Sequence, residues 1–145
     1  LPIELVQLPS LEFLYAGFNF LEGNLDFISQ MPKIFELWMD DNPGLGGTIP
    51  ASIGSASNLA SLSLTNCGLT GTIPTQLGTM SNMIQMWLYD NELKGTIPTE
   101  IGDIVTLKIL NLQKNEVCDC CGGWIYLSLE QEVWLSHICL RFFLF

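Results

Sequence analysis

The chain has 145 residues, of which 48% are hydrophobic and 14% are charged. This length and apolarity correspond to one domain with a buried core, which argues against intrinsic disorder. The 15 acidic side chains outnumber the 5 basic ones, so the formal net charge is −10. Because phosphate binding depends on clustered Lys and Arg, nucleic acid and anionic membrane surfaces are poor candidate partners.

A sequence repeat organises most of the chain. The tripeptide Thr-Ile-Pro begins at Thr48, Thr72 and Thr96, which are 24 residues apart, and each copy follows a Gly. A second Gly stands four residues after each Pro, and an apolar frame of Leu, Ile or Met recurs upstream. Five copies begin near residues 11, 34, 59, 83 and 107, the first of them degenerate.

Each copy predicts the same series of local structures. The frame Leu-x-x-Leu-x-Leu ends in an alternation that is typical of a short strand, with the leucines inward and the intervening residues outward. The Pro then restrains the preceding Ile to an extended conformation and suits the first turn of a short helix, as in Pro74-Thr75-Gln76-Leu77. One copy buries too little apolar surface alone, so we expect the copies to stack around one continuous core.

An Asn or Cys stands three residues after the third frame position. We expect Asn91 and Asn115 to turn their amides inward and to bond backbone groups at the bend. Cys67 occupies the same position in its copy. Because an unpaired Cys is commonly buried and inert, Cys67 is interpreted as a structural residue.

The pattern resembles the plant-type leucine-rich repeat, which reads L-x-x-L-x-L-x-x-N-x-L-x-G-x-I-P followed by a short helical stretch. The resemblance covers roughly Leu11 to Cys121. It implies an α/β repeat solenoid, a right-handed coil with a parallel β-sheet on the concave face and short 3-10 or helical turns on the convex side. Residues 1–121 are then the solenoid, and residues 122–145 are a C-terminal tail or cap.

The repeat pattern fails after Asn115, where a Cys-rich segment replaces the next Gly-x-Ile-Pro. By the resemblance, this segment is similar to the disulfide-bonded caps of extracellular leucine-rich-repeat proteins. A zinc site is the less favoured alternative, because the Cys118-x-x-Cys121 spacing has no second Cys pair. Its other possible ligands are His137 and Cys139.

Residues 124–145 are rich in large apolar side chains but contain several charges. Three interpretations stay open: a capping helix over the end of the core, a segment that binds a partner or a membrane surface, or sequence that is not native to the fold. The cap is preferred. No uncharged run in this segment is long enough to indicate a transmembrane helix.

The outward positions of the strands form the predicted binding surface. Aromatic side chains there are typical of interface anchors, and the carboxylates favour a basic or hydroxyl-rich ligand. Alternatively, the tryptophans only cover neighbouring strands and the aspartates are only solvated. The position between the second and third frame residues is Tyr15, Trp38, Ser63, Trp87 and Asn111. The candidate ligand-binding residues are Tyr15, Trp38, Asp40, Asp41, Trp87, Tyr89 and Asp90.

No motif of an enzyme is present in the sequence. The one histidine, His137, lies in the tail, and neither a Gly-rich phosphate loop with a Lys nor a Gly-x-Ser-x-Gly motif occurs. We therefore expect a non-catalytic module with no cofactor and no metal.

We expect this module to recognise a protein or peptide ligand. By the resemblance, it is a fragment of a larger secreted or membrane-anchored receptor-like protein, extracellular in location, with membrane contact only through parts of a longer parent chain. One alternative is an ice-binding or purely structural solenoid that uses a ladder of Thr48, Thr72 and Thr96. Another is the ectodomain of a receptor kinase whose catalytic domain is absent here.

Overall fold

The computed structural model describes residues 3–117 and 126–128. Each repeat contributes one short strand to the same sheet and, in four of the five, a 3-10 helix on the opposite side. A short helix, α1 (Ile3–Val6), precedes the first strand. The strands are β1 (Phe13–Tyr15), β2 (Glu36–Trp38), β3 (Ser61–Ser63), β4 (Thr70–Thr72), β5 (Gln85–Trp87), β6 (Glu92–Gly95), β7 (Ile109–Asn111), β8 (Glu116–Val117) and β9 (Tyr126–Ser128). The 3-10 helices are Asp26–Gln30, Ala51–Ser55, Thr75–Thr79 and Thr99–Asp103.

The principal sheet has the strand order β1-β2-β3-β5-β7-β9. Its first five strands are parallel and in register, so the central frame residue of each repeat lies beside that of the next, as Leu37 lies beside Leu62. Strand β9 is antiparallel to β7. Most of the predicted tail or cap lies outside the described residues, and its boundaries stay predictions.

The frame residues fill the core. Leu37, Leu62 and Met86 have no exposed surface, and the 3-10 helices add apolar residues such as Leu77 from the opposite side. Burying one such side chain stabilises the fold by about 1.5–3 kcal/mol, but only when a neighbouring repeat covers it. The predicted α/β repeat solenoid, with parallel strands alternating with 3-10 turns, is confirmed.

The second Gly of each repeat permits close stacking of the 3-10 helices. A methyl group added at Gly54 would lie 2.7 Å from the carbonyl oxygen of Gln76 in the next repeat. The same addition at Gly78 would collide with the carbonyl oxygen of Glu100. At Gly54 and Gly78 the backbone of the next repeat therefore packs against glycine, and a larger side chain would push the repeats apart.

A second, smaller sheet lies on one flank, with the strand order β4-β6-β8. Here Thr48 pairs with Thr70, and Thr72 pairs with Lys94. The predicted ladder of Thr48, Thr72 and Thr96 is therefore wrong, because this flank pairs residues 22 apart rather than 24 apart. The Thr48 methyl group lies over Gly71 instead, 2.8 Å from the point where a Cβ would stand.

Asparagines at the bends bond to the preceding repeat. The Asn91 Oδ1 accepts hydrogen bonds from the backbone N–H groups of Cys67 and Leu69, both at 3.0 Å. The Asn91 Nδ2 donates to the carbonyl oxygen of Leu64 at 2.8 Å. Asn115 repeats this arrangement one coil later, accepting from the Leu93 N–H. The predicted inward orientation of both amides is confirmed.

Cys67 replaces the asparagine at the repeat whose preceding turn contains one extra residue. In that turn the Leu45 N–H donates to the carbonyl oxygen of Asn42 at 3.0 Å, so it does not need the side-chain oxygen that Asn91 supplies to Leu69. The Cys67 thiol is fully buried and donates to the carbonyl oxygen of Met39 at 3.1 Å. The interpretation of Cys67 as a structural residue agrees with these contacts.

Replacing Asn91 with Ala should be strongly destabilising. The change leaves two backbone N–H groups and one carbonyl oxygen buried without their partner. We expect the free energy of unfolding in urea to fall by about 3–5 kcal/mol, since each orphaned buried group costs about 1–3 kcal/mol. The control is Asn82→Ala, which removes one exposed bond between repeats, from Nδ2 to the Ser57 carbonyl oxygen. Equal losses in the two variants would contradict the role given to Asn91.

Cys67 should make the stability fall at alkaline pH. Burial raises the pKa of its thiol from 9.0 to about 12, and the nearby charges of Asp40 and Asp41 act in the same direction, while the Asn42 backbone N–H opposes them. Because the unfolded chain releases this proton at lower pH than the folded chain, the stabilisation is complete below pH 9 and declines above it.

Between pH 9 and pH 11 the wild type should lose about 2 kcal/mol in total relative to Cys67→Ala. Urea unfolding of both proteins across this range measures the difference. Parallel stability curves would show that the Cys67 thiol does not stay protonated in the fold.

Candidate functional site

The outward residues of the principal sheet form three rows across the strands. Each row contains one residue from each repeat, because the parallel strands are in register. The first row is Phe13, Glu36, Ser61, Gln85 and Ile109. The second is Tyr15, Trp38, Ser63, Trp87 and Asn111. The third is Gly17, Asp40, Thr65, Tyr89 and Gln113.

The candidate residues predicted from the sequence include members of the second and third rows, but none of the first row. The signal was present, since the residue before an inward frame position must also point outward in a strand. Glu36 is the member of that row on β2. It stands two residues before Trp38 on β2, as Asp40 stands two residues after it.

Neighbouring strands hold these three side chains, which we call the β2 row: Glu36, Trp38 and Asp40. The Tyr15 hydroxyl donates to Glu36 Oε2 at 2.5 Å, and the Trp38 Nε1 donates to Ser61 Oγ at 2.7 Å. Asp40 Oδ1 accepts from the Ser63 hydroxyl. Each member of the β2 row is thus fixed by a strand on one side of it.

Tyr15 and Trp38 form an exposed aromatic pair. Their ring centroids are 4.9 Å apart with the planes tilted by 50°, and the two residues are 58% and 38% exposed. The hydrogen bond to Glu36 raises the pKa of the Tyr15 hydroxyl, with smaller contributions from burial and from the Glu36 charge. The phenol therefore stays a neutral donor to Glu36.

Ser63 and Asn111 were expected to be solvated outward residues, and this is wrong, because both are only 8% exposed. The Trp38 indole extends across β3 to Ser61, and the Gln85 Nε2 reaches the same hydroxyl oxygen from β5 at 2.9 Å. Longer side chains on both sides thus cover the short serines of β3.

Asn111 lies between β5 and β9 and accepts from the Gln113 N–H at 3.1 Å.

Tyr89 and Asp90 already hold a cation from the next repeat. The Lys114 Nζ lies 3.2 Å from Asp90 Oδ2 and 4.8 Å from the centroid of the Tyr89 ring. Its interactions with Tyr89 and then Asp90 raise the pKa of the Lys114 ammonium. The Asp90 charge is therefore compensated within the protein.

Asp41 stands at a bend rather than on the face of a strand. Its φ is 55°, in the left-handed region, and its Oδ1 accepts from Asn66 Nδ2 at 2.7 Å. Asp90 has the same conformation, with a φ of 57°. Asp and Asn tolerate this conformation better than most residues. The backbone conformation therefore accounts for an Asp at each of these two positions.

The structure thus divides the predicted site residues. Tyr15, Trp38 and Asp40 belong to one connected network with Glu36. Trp87 is half-buried two strands away, beyond β3. Tyr89 and Asp90 form a second network with Lys114, and Asp41 lies at the edge of the first.

Within residues 3–117 and 126–128, no group of three His, Cys, Asp or Glu side chains is arranged to hold a metal ion. The cysteines and the histidine of the alternative zinc site lie outside these residues. In the same part of the chain, no helix has both the length and the apolarity that a membrane crossing requires.

Comparison with known proteins agrees with the fold. The Leucine Rich Repeat family model matches residues 58–80. The plant peptide hormone receptor RGFR1 in complex with RGF2 is similar with a TM-score of 0.77 and 30% identity, over 81% of this chain and 19% of that chain. The structure of PEPR1 with AtPEP1 gives a TM-score of 0.71 and 33% identity, over 74% and 15% of the two chains.

The BIR2 ectodomain from Arabidopsis thaliana gives a TM-score of 0.69 and 28% identity, over 73% of this chain and 56% of that chain. No curated protein sequence matches the chain. The chain therefore spans about a fifth or less of the first two structures and somewhat more than half of the third. It is a leucine-rich-repeat protein, structurally similar to plant leucine-rich-repeat receptor ectodomains.

Proposed function

We propose that this chain is a recognition module that binds a peptide or protein through the concave face, the outward face of the principal sheet. It acts within a larger secreted or membrane-anchored receptor-like protein, of which a receptor kinase is one form. RGFR1 is described in complex with RGF2, and the receptor kinase HAESA in complex with the peptide hormone IDA and the co-receptor SERK1. These similarities to receptor ectodomains support an extracellular, peptide-binding role.

The observation that carries the proposal is the exposed aromatic pair held in place beside two carboxylates. Tyr15 and Trp38 keep 58% and 38% of their surface in solvent although they pack against each other. Large exposed aromatics at fixed positions are typical of the anchors that dominate binding energy at interfaces. Because hydrogen bonds already fix Trp38 and Asp40, little side-chain entropy is lost when a ligand binds.

The described residues form an ectodomain-like module of a non-catalytic class. The candidate contacts are not equivalent in this proposal. Tyr15, Trp38 and Asp40 form its centre, and Trp87 extends the surface beyond β3. Asp41, Tyr89 and Asp90 lie at its margins, where their charges or rings already contact other repeats.

Removing both tryptophans should weaken ligand binding. A displayed library of random linear peptides, selected on the wild-type protein, supplies the probes. We expect Trp38→Ala with Trp87→Ala to weaken binding of the selected peptides by at least about thirtyfold, since an anchor contributes about 2 kcal/mol or more. Fluorescence anisotropy with labelled peptides measures the affinity.

Val105→Ala is the control, because Val105 is 77% exposed but follows the 3-10 helix Thr99–Asp103, away from the principal sheet. This variant should bind like the wild type. Undiminished binding of the selected peptides by the tryptophan variant would place the ligand elsewhere and refute the concave-face proposal.

A further inference from the structure

The two tryptophans of the concave face stand in different electrostatic surroundings. On β2 the residues two positions before and after Trp38 are the carboxylates Glu36 and Asp40. On β5 the corresponding neighbours of Trp87 are neutral, Gln85 and Tyr89. Outward residues on one strand are about 6.6 Å apart, so Glu36 and Asp40 are the nearest outward neighbours of Trp38 on its own strand.

The protein itself shows how this face holds a cation. Lys114 places its ammonium 4.8 Å from the Tyr89 ring centroid while it pairs with Asp90 at 3.2 Å. An aromatic ring with a carboxylate beside it is a favourable site for Lys or Arg, because the ring face and the carboxylate both attract positive charge. Trp38, with Glu36 and Asp40, offers the same combination and one more carboxylate.

No cation of the described chain occupies that position. The lysines of residues 3–117 are Lys33, Lys94, Lys108 and Lys114. Those four include no member of the outward rows on β1, β2 or β3. The ion pairs found in this part of the chain, Lys94 with Glu116 and Lys114 with Asp90, leave the β2 row out.

The acceptor capacity of the β2 row is not exhausted. Asp40 accepts from the Ser63 hydroxyl and from the Thr65 N–H at 2.9 Å, and both bonds end on Oδ1. Its Oδ2 takes part in neither. These internal bonds fix the carboxylate and leave an oxygen to receive a charged donor.

The spacing of the tryptophans adds a constraint on the ligand. Trp38 and Trp87 belong to one row and are separated by one strand, β3. Two strand spacings place the backbones of the two tryptophans about 9.6 Å apart. In a polyproline II peptide, side chains about three residues apart point the same way and are about 9.3 Å apart.

We propose, on the basis of the proposed function, that the ligand is a linear peptide in which two side chains three positions apart are needed for binding. An Arg or Lys of this peptide lies over Trp38 between Glu36 and Asp40. An aromatic or large apolar residue three positions away contacts Trp87.

The test uses synthetic, end-blocked, Pro-rich peptides with Arg placed three residues from Phe, measured by fluorescence anisotropy. Matched probes replace the Arg with citrulline, its neutral isostere, or move the Arg one position closer to the Phe. We expect each change to weaken binding about tenfold or more, and added salt to weaken only the binding of the Arg peptide.

The protein variant is Glu36→Gln with Asp40→Asn. Both amides keep an oxygen that can accept the bonds from Tyr15, Ser63 and Thr65, so the fold should be preserved. We expect binding of the Arg peptide to weaken about tenfold, whereas the citrulline peptide should bind with unchanged affinity. The control is Glu100→Gln, an exposed residue of the 3-10 helix Thr99–Asp103, which should change affinity less than about twofold.

The outcomes separate this inference from the proposed function. Equal affinity for the Arg and citrulline peptides, or no saturable binding of the Arg peptide, overturns the inference. If the library peptides then still lose affinity with the tryptophan variant, the proposed function stands with a different ligand. If the tryptophan variant binds both the Arg peptide and the library peptides normally, both proposals are wrong.

Discussion

The hydrogen bonds of one buried asparagine across two coils are the interaction on which the rest of the structure depends. Asn91 bonds the backbone of the preceding coil and of its own coil at the same bend. An apolar core alone does not fix the position of one coil on the next, because its contacts have no preferred direction. Leu, Met and Ile can therefore stand in for one another in the frame. The amide bonds are directional, so they fix how far one coil advances on the next. Cys67 replaces the amide in the repeat that follows the turn with one extra residue.

The binding surface follows from this alignment. Because β2 and β3 are in register, Ser61 lies beside Glu36 and Ser63 beside Trp38. From these positions each serine contacts the residue two places further along β2, Ser61 the Trp38 indole and Ser63 the Asp40 carboxylate. A slip of one residue would turn the frame leucines outward and bury the β2 row. The strand register therefore determines both which residues fill the core and which residues form the concave face.

The sequence is sufficient to predict whatever repeats. The strands, the inward frame, the turns after each Pro and the inward asparagines all recur at one period, so each copy supports the others. The site is less predictable because it depends on residues that do not repeat. No local sequence feature predicts that the Trp38 indole reaches Ser61 on β3, or that Lys114 contacts Tyr89 and Asp90 of the preceding repeat. The prediction of a threonine ladder was wrong for a related reason. Residues 24 apart in sequence are not paired on the flank, because the strands there are offset by two residues.

The central claim is that the β2 row is held in its binding geometry before any ligand arrives. Hydrogen exchange of the free protein, followed by NMR, tests it at two protons: the Trp38 indole N–H, bonded to Ser61, and the Thr65 backbone N–H, bonded to Asp40. The account predicts that both exchange far more slowly than the same groups in the unfolded chain. Exchange of both at the unfolded rate, with the rest of the sheet protected, would contradict it, because the row would then be ordered only by its ligand.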